Sequence, residues 1–514
     1  MPRSWYVLDT IYLMILIGAT RVSYRLIRLR RQNRTFPWSK RKKVMIIGGG
    51  EAGRSLITEI QNSKYLDQKV VCIIDDDPYK IGRYIKGVKV VGNRNSIKKS
   101  VKKYNVQQII LTIPSANAAK IRPIVEICQD TNCELMILPG VYQLVNGEVR
   151  ASKLRPVNID DLLGRDEVYV NLNEVMDYVS GRVIMVTGGG GSIGSELCRQ
   201  IAKHSPKQLI IFDIYENNAY DIQQELLREQ PKLDLVVLIG SVRDENRINS
   251  IFEQYRPEII YHAAAHKHVP LMEGSPNEAI KNNVLGTYNM VRMADKWNAK
   301  RFVQISTDKA VNPTNIMGAS KRICEMIIQT YNKESNTEYV AVRFGNVLGS
   351  NGSVIPLFKK QIAEGGPVTV THPEIIRYFM TIPEAVSLVL QAGAYAKGGE
   401  IFVLDMGEPV KILDLARNMI RLSGYKVDQD IKIEFTGLRP GEKLYEELLM
   451  DEEGMTDTPN KLIHIGHPID VDEVKLAHAL RVLESAAQNE TDDMRLIVAS
   501  IVPTYHPKLN KSTQ

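Results

Sequence analysis

Two stretches, KVMIIGGGEAG (43–53) and RVIMVTGGGGSIG (182–194), each place a glycine-rich turn directly after a short apolar run, and each leads into a helical pattern (RSLITEI, SELCRQI). A continuous apolar run of this length suits a strand buried on both faces of a parallel sheet. The glycines permit a tight turn and close backbone approach at the helix N-terminus. A strand–glycine–helix unit stated twice predicts an α/β chain with two doubly wound, Rossmann-like parallel-sheet domains.

In the first unit the triplet is Gly48, Gly50 and Gly53, and the next strand, KVVCIIDDDP, ends at Asp75, where a ribose-binding acid would stand. Apolar runs continue through QQIILTIP and CELMILP to about Gly140, and no polar cluster follows a strand end. Two readings stay open for this unit: a bound nucleotide, or a nucleotide fold kept as a scaffold. In the second unit Gly188, Gly191, Ser192, Ile193 and Gly194 form the turn and helix start, and the strand LIIFD ends at Asp213. An acid there accepts hydrogen bonds from a ribose 2′-hydroxyl and repels a 2′-phosphate, so NAD is expected rather than NADP.

The chain has 514 residues, 44% hydrophobic and 24% charged, which is ordinary for a globular protein of two or three domains. Its net charge of +7 is localised: residues 21–43 carry ten arginines and lysines and no acid, which leaves −3 for the remainder. A basic excess confined to one segment argues against a nucleic-acid-binding domain. Ahead of it lies WYVLDTIYLMILIGA (5–19), whose uninterrupted apolar run, Ile11–Ala19, falls short of the ~20 residues of a spanning helix. Three readings compete: a signal peptide, a core or interfacial helix, and a membrane anchor. The arginines follow the apolar run rather than precede it, which suits an anchor with a cytoplasmic basic flank better than a signal peptide. The five cysteines are scattered without a CxxC pair, as expected of core thiols in a reducing compartment, and no metal site is expected. The boundaries expected are 1–42 hydrophobic and basic segment, 43–140 first nucleotide fold, 141–180 connector, 181–450 catalytic domain and 451–514 helical tail, with a mixed-charge helix near Asp470–Ala487.

Further motifs sharpen the second unit. VVLIGSVRD carries Ser241 and Val242; IIYHAAAHKHVPLME carries Ala263, Ala264, Ala265 and Lys267; NNVLGT, RFVQISTDKA, MGASK, VAVRFGNVLGSNGSVIPLF and GLRPGEKLYEELL follow. Together these resemble the extended short-chain dehydrogenase/reductase superfamily, and within it the large, membrane-anchored UDP-N-acetylglucosamine 4,6-dehydratases of bacterial polysaccharide and glycoprotein biosynthesis. The resemblance covers nearly the whole chain. It departs at the start, because large members carry several transmembrane helices and this chain keeps only what resembles the end of the last. It implies a catalytic domain facing the cytoplasm at the inner membrane, a UDP-sugar substrate, bound NAD and a homo-oligomer.

The reaction implied by the resemblance has no net redox change. C4 of the sugar is oxidised, the resulting ketone acidifies C5–H, the C6 hydroxyl leaves as water, and hydride returns to C6. Such a cycle needs an acid and a base near the C5–C6 edge. The family motif assigns Asp308 as acid for the C6 hydroxyl and Lys309 as C5 base, beside Thr307. The pair works only if Asp308 can carry a proton and Lys309 can lose one, and burial favours the neutral form of each.

Lys321 is expected to bond the nicotinamide ribose. The position of the usual catalytic tyrosine holds Met317, whose thioether has no proton to exchange; this resembles the branch that retains C5 configuration. With no tyrosine, Thr307 is a relay for the C4 hydroxyl proton, with Asp308 or water as acceptor. Asn346, Arg377, Arg439, Glu442 and Lys267 are the expected substrate contacts, the guanidinium groups suiting a diphosphate. Ser306 is expected to be a support residue. Competing readings are a nucleotide-sugar 4-epimerase or dehydrogenase, which needs no Asp–Lys pair and wants the tyrosine, and a catalytically silent NAD-binding scaffold of a glycosylation complex.

Overall fold

In both nucleotide-fold units the apolar run before the glycine turn is a strand and the turn opens a helix. The computed structural model describes residues 3–32, 41–63, 67–116, 118–131, 133–138, 154–158, 161, 176–447, 454–466 and 471–507. The chain divides into two units, Met1–Gly164 and Arg165–Gln514. Most of the expected connector 141–180 lies outside the described residues.

The first unit begins with helix α1 (Arg3–Gln32). Its residues Ile11–Ile17 are at least half exposed, yet among the described residues no helix is long and apolar enough to cross a membrane. The sheet that follows has strands β1 (Lys42–Ile47), β2 (Gln68–Ile74), β3 (Tyr84–Ile85), β4 (Val88–Gly92), β5 (Gln108–Leu111), β6 (Glu134–Ile137) and β7 (Arg155–Pro156). Their order is β3-β4-β2-β1-β5-β6-β7, parallel except at the two edges. Helix α2 (Glu51–Asn62) buries Leu56, Ile57 and Ile60 against Val44, Ile46 and Ile73. The order reverses between β1 and β5, the switch point of a doubly wound sheet.

The second unit repeats the plan at larger scale. Its parallel strands are β8 (Val183–Thr187), β9 (Gln208–Asp213), β10 (Leu235–Ile239), β11 (Ile259–His262), β12 (Arg301–Ile305), β13 (Glu338–Arg343) and β14 (Ile401–Leu404); β15 (Met455–Asp457) and β16 (Ile463–Gly466) are antiparallel additions. The order β10-β9-β8-β11-β12-β13-β14-β16-β15 reverses between β8 and β11, so a crevice opens beyond their carboxyl ends. Helices α3 (Ser192–Ala202) and α4 (Ile316–Glu334) start at that edge.

After residue 454 the described residues pack onto the second unit. β16 joins the main sheet, and helices α5 (Glu473–Gln488) and α6 (Met494–Ile501) bury Leu476, Leu480, Leu483, Met494 and Val498 in the same core as Met290, Ile323 and Phe302. Asn277 Nδ2 donates to the Thr491 carbonyl at 3.0 Å, and Arg495 pairs with Glu273 at 3.3 Å. The amphipathic pattern announced the helix but carried no information about the surface it covers. Among the described residues all five cysteines are free thiols, four of them buried, and no group of acids, histidines and cysteines could hold a metal.

Candidate active site

The crevice between β8 and β11 is shaped by backbone crowding. Gly188 has φ +65°, and a Cβ there would lie 2.8 Å from the Ala264 nitrogen; a Cβ on Gly194 would lie 2.0 Å from the Gly188 oxygen. Only hydrogen fits at either place, so α3 closes tightly on the turn and its first N–H groups face the crevice. Gly191 caps the helix, and no acidic residue stands in its first turn. The Asp213 carboxylate accepts from Gly190 N at 2.8 Å and from Tyr215 N at 2.8 Å, which leaves lone pairs for ribose hydroxyls. Ala263 N bonds the Thr187 carbonyl at 3.1 Å and Ala264 N lies 3.4 Å from Thr187 Oγ1, which fixes the 263–265 segment across the mouth. Val242 is buried under Gly286, while Ser241 Oγ accepts from Arg243 N at 3.2 Å. An uncharged 2′-hydroxyl dinucleotide fits this cradle; a 2′-phosphate would meet Asp213.

The candidate catalytic loop leaves the end of β12. Thr307 Oγ1 donates to Asp308 Oδ1 at 2.8 Å, and Lys309 Nζ donates to the same oxygen at 2.9 Å. The Asp308 side chain is fully buried and that of Lys309 is 18% exposed, so the pair opens to solvent on the lysine side. Helix α4 locks the loop: a Cβ on Gly318 would sit 2.1 Å from the Lys309 oxygen. Lys321 Nζ donates to the Ile305 carbonyl at 2.9 Å at the root of the loop, and burial holds its ammonium below the ordinary lysine range. Met317, 3% exposed, belongs to the apolar core.

The loop is braced by a buried ion network. Glu325 of α4 accepts from Ser306 Oγ at 2.7 Å, from Arg343 Nε and Nη2 at 2.7 Å each, and from Arg322 Nη1 at 2.9 Å. Despite its burial, the Arg343 and Arg322 charges hold the Glu325 carboxyl down at about 2. Ser306 thus supports the loop, as expected, and its partner joins β12, β13 and α4 into one frame.

From Lys309 a chain of alternating charge runs outward. Its ammonium lies 3.7 Å from Glu446 Oε1; Arg377 Nε lies 3.4 Å from that same oxygen; Arg377 Nη2 lies 3.6 Å from Glu442 Oε1; and Arg439 Nη2 lies 3.2 Å from Glu442 Oε1. The expected substrate residues fall along it but not alike. Arg377 is buried and donates to the carbonyls of Ile376, Lys443 and Leu444 at 2.7, 2.7 and 3.2 Å, so it acts as a strut. Glu442 is taken up by two arginines. Arg439, with its side chain 56% exposed, is the guanidinium of the chain open to a diphosphate. Asn346 Oδ1 stands 3.4 Å from Lys309 Nζ, and Lys267 Nζ donates to Ser350 Oγ at 3.2 Å on the same side; partial desolvation and the Lys309 charge lower the Lys267 ammonium.

One expectation is corrected. Burial was to favour the neutral amine of Lys309, and burial does act in that direction. The negative charges of Asp308 and Glu446 outweigh it, and the Lys309 ammonium is held above the ordinary lysine range. Three further residues shape the site without having been singled out in the sequence. Glu446 is one. Asn283 is another: its Nδ2 bonds Ser320 Oγ at 2.9 Å and the His266 carbonyl at 3.0 Å, tying α4 to the segment after β11. The third is His262, buried between Thr187 Oγ1 at 2.7 Å and Thr287 Oγ1 at 3.1 Å.

The first unit has the same turn in a different setting. Asp75 accepts from Gly49 N at 2.7 Å and Asp77 N at 2.9 Å, as Asp213 does from its own loop, but Lys80 also binds it at 3.0 Å. Glu51 stands in the first turn of α2, where a phosphate would lie.

Comparison with known proteins bears on both units. A family described as polysaccharide biosynthesis protein matches residues 184–468, and a CoA-binding domain family matches residues 3–139. The chain is 49% identical over 443 residues to the capsular polysaccharide biosynthesis protein CapD of Staphylococcus aureus, covering 86% of this chain and 73% of the relative. It is 46% identical over 460 residues to the probable polysaccharide biosynthesis protein EpsC of Bacillus subtilis, covering 89% and 76%. Among solved structures, Pen from Bacillus thuringiensis superposes with a TM-score of 0.52 at 35% identity, over 57% of this chain and 90% of that one.

Proposed function

The chain belongs to the polysaccharide biosynthesis protein family, and from that premise we propose that it is an NAD-dependent UDP-N-acetylglucosamine 4,6-dehydratase that retains configuration at C5. At the coarser level it is an enzyme of nucleotide-sugar chemistry with an extended short-chain dehydrogenase/reductase fold. The observation that carries the finer reading is the three-residue proton path Thr307–Asp308–Lys309 beside a core-buried Met317.

Gly188–Gly194, Asp213, Ala263–Ala265 and Lys321 would hold NAD, which would supply a hydride acceptor at C4 and the hydride donor at C6. Thr307 Oγ1, already donating to Asp308 Oδ1, passes the C4 hydroxyl proton to that carboxylate. Asp308 then holds the proton that the departing C6 hydroxyl needs. The same protonation removes the nearer of the two negative charges that keep Lys309 an ammonium. Oxidation at C4 therefore prepares acid and base together. Lys309 releases its own proton to solvent, to which its side chain is 18% open. As the amine it then takes the C5 proton and, after exchange with solvent, delivers a proton to the same face. Lys321 holds its charge at the root of the loop, where it favours loss of the C4 hydroxyl proton. Arg439 and Asn346 orient the nucleotide and the sugar. The apolar and basic α1 segment places the enzyme at the cytoplasmic face of the inner membrane.

The test is incubation of the purified protein with UDP-GlcNAc in D₂O, followed by NMR. A 4-keto-6-deoxy sugar of unchanged C5 configuration carrying deuterium at C5 is expected. Unchanged substrate, or its C4 epimer, overturns the reading.

A further inference from the structure

Glu446 lies in the segment Leu444–Glu447, which Arg377 pins by its bonds to the Lys443 and Leu444 carbonyls at 2.7 and 3.2 Å. Its side chain is 3% exposed. Oε1 faces Lys309 Nζ at 3.7 Å and Arg377 Nε at 3.4 Å, while Oε2 is buried without a hydrogen-bond partner. Across Lys309, Asp308 repeats the arrangement: Oδ1 is engaged and Oδ2 is buried and unpartnered. Two desolvated carboxylates thus flank one ammonium, each with an oxygen in reserve. Buried polar atoms left unsatisfied are rare enough to call for a role.

We propose that Glu446 is a positioning residue that sets the charge state of Lys309, an inference that rests, for its catalytic consequence, on Lys309 being the C5 base. Among the described residues, the charged and titratable groups around Lys309 are Asp308 in its own loop, Glu446 from the 443–447 segment, Arg377 from the short strand Ile376–Arg377, and Lys267 from the loop after β11; Asn346 adds a neutral oxygen at 3.4 Å. Asp308 and Glu446 raise the lysine and outweigh its burial, with Arg377 opposing them, while the Lys309 charge in turn lowers Lys267. Once Asp308 has taken the C4 hydroxyl proton, Glu446 is the anion left within ion-pair distance of Lys309 among the described residues.

The consequence is specific. When C5–H breaks, its electron pair passes toward the C4 oxygen and a new N–H bond forms on Lys309. Glu446 stabilises that ammonium and keeps the proton on the face from which it came. The return step reverses these bonds, so configuration is retained and no other reactant is needed. Arg377 serves by aiming Glu446 rather than by touching substrate.

The charge assignment is tested without turnover. In the full chain, free of substrate, acylation of Lys309 by acetic anhydride is followed against pH by peptide mass spectrometry, for wild type, Glu446→Gln and Glu446→Asp. Glu446→Gln is expected to lower the Lys309 midpoint by about one unit or more, and Glu446→Asp by a smaller amount in the same direction. A midpoint unchanged in both variants overturns the proposal. Should Glu446→Gln fail to fold, Glu446→Asp decides alone, and an unmoved midpoint there also overturns it. In a second arm, UDP-GlcNAc turnover in D₂O is followed against pH, and the rising limb is expected to move to lower pH in Glu446→Gln. A moved midpoint with no dehydration by wild type supports the charge assignment and overturns the dehydratase reading. Dehydration with unmoved midpoints does the reverse.

Discussion

A Cβ on Gly318 would lie 2.1 Å from the carbonyl oxygen of Lys309, so the first turn of α4 and the acid–base loop touch backbone to backbone. Asn315 starts that turn by accepting from Gly318 N at 2.8 Å, and the core residues Ile316 and Met317 hold it down. The helix therefore sets where Lys309 stands. Gly318→Ala is expected to push the loop off its seat and reduce turnover by ~100-fold or more, because misplacement of about 1 Å carries a cost of that order. Dinucleotide affinity should be nearly unchanged, since the Gly188–Gly194 turn and Asp213 are elsewhere. Fluorescence titration with NAD beside kcat separates the two. A variant that loses both in equal measure would show that the contact serves folding in general.

The Thr307 hydroxyl, donating to Asp308 Oδ1 at 2.8 Å, makes a narrower prediction. Thr307→Val keeps the shape and removes the hydroxyl, and should lower kcat by ~10²–10⁴-fold, the usual worth of a positioned proton-transfer group. Thr307→Ser should restore most of it. Deuterium uptake into C5 should fall in parallel with product, because C5 becomes acidic only after C4 is oxidised. If Thr307→Val turned over at the wild-type rate, a route that bypasses Thr307 would carry the C4 proton.

Met317 predicts a different pattern, stability without chemistry. It is 3% exposed within a core that includes Ile316, Ile323 and Ile327. Met317→Ala should cost ~2–5 kcal/mol of stability by leaving a cavity. Turnover per folded molecule should stay within a few-fold, whereas Lys309→Ala should abolish it. Denaturant unfolding and kcat, measured on the same preparations, decide this. A fall in kcat as deep as that of Lys309→Ala would place the thioether at the reacting atoms.

What could be read from the sequence was what is local. The glycine turns and Asp213 lie within short windows whose spacing carries their geometry, while the Thr307-Asp308-Lys309 triplet and Lys321 stand out only through the family resemblance. The charge chain was not readable in this way. Lys309 and Glu446 are 137 positions apart, and they meet through Arg377 and through bonds from the 441–447 segment to Val311, Asn312, Thr314 and Asn315. A guanidinium in a sequence reads equally well as a phosphate ligand or as a strut, and for Arg377 the carbonyls of 376, 443 and 444 settle where its donors go. For Lys309, burial alone points downward, but the charge of the adjacent Asp308 first, and then that of Glu446, whose approach no local window shows, outweigh it. Likewise the helix near 473–488 was visible as a pattern, while its packing into the dehydrogenase core depends on a surface built from residues 276–328.

His262 supplies a prediction about pH. Its ring is fully buried, bridged between Thr187 and Thr287 and close to the positive charge of Lys321; burial first, and then that charge, push it from the ordinary 6.5 down to about 3. The folded chain therefore keeps His262 neutral over a range in which the unfolded chain protonates it. A depressed value in the fold means stability that is full above pH 6.5 and is lost progressively as pH falls toward 3, at ~1.4 kcal/mol per unit. At pH 5 this residue alone should account for ~2 kcal/mol of lost stability. His262→Gln keeps a polar side chain between the two threonines and does not titrate. The variant should be less stable than wild type at pH 7.5, and the gap should narrow by ~2 kcal/mol at pH 5. Urea unfolding at the two pH values measures both quantities, and a gap that stays constant would mean that His262 titrates alike in the folded and unfolded chain.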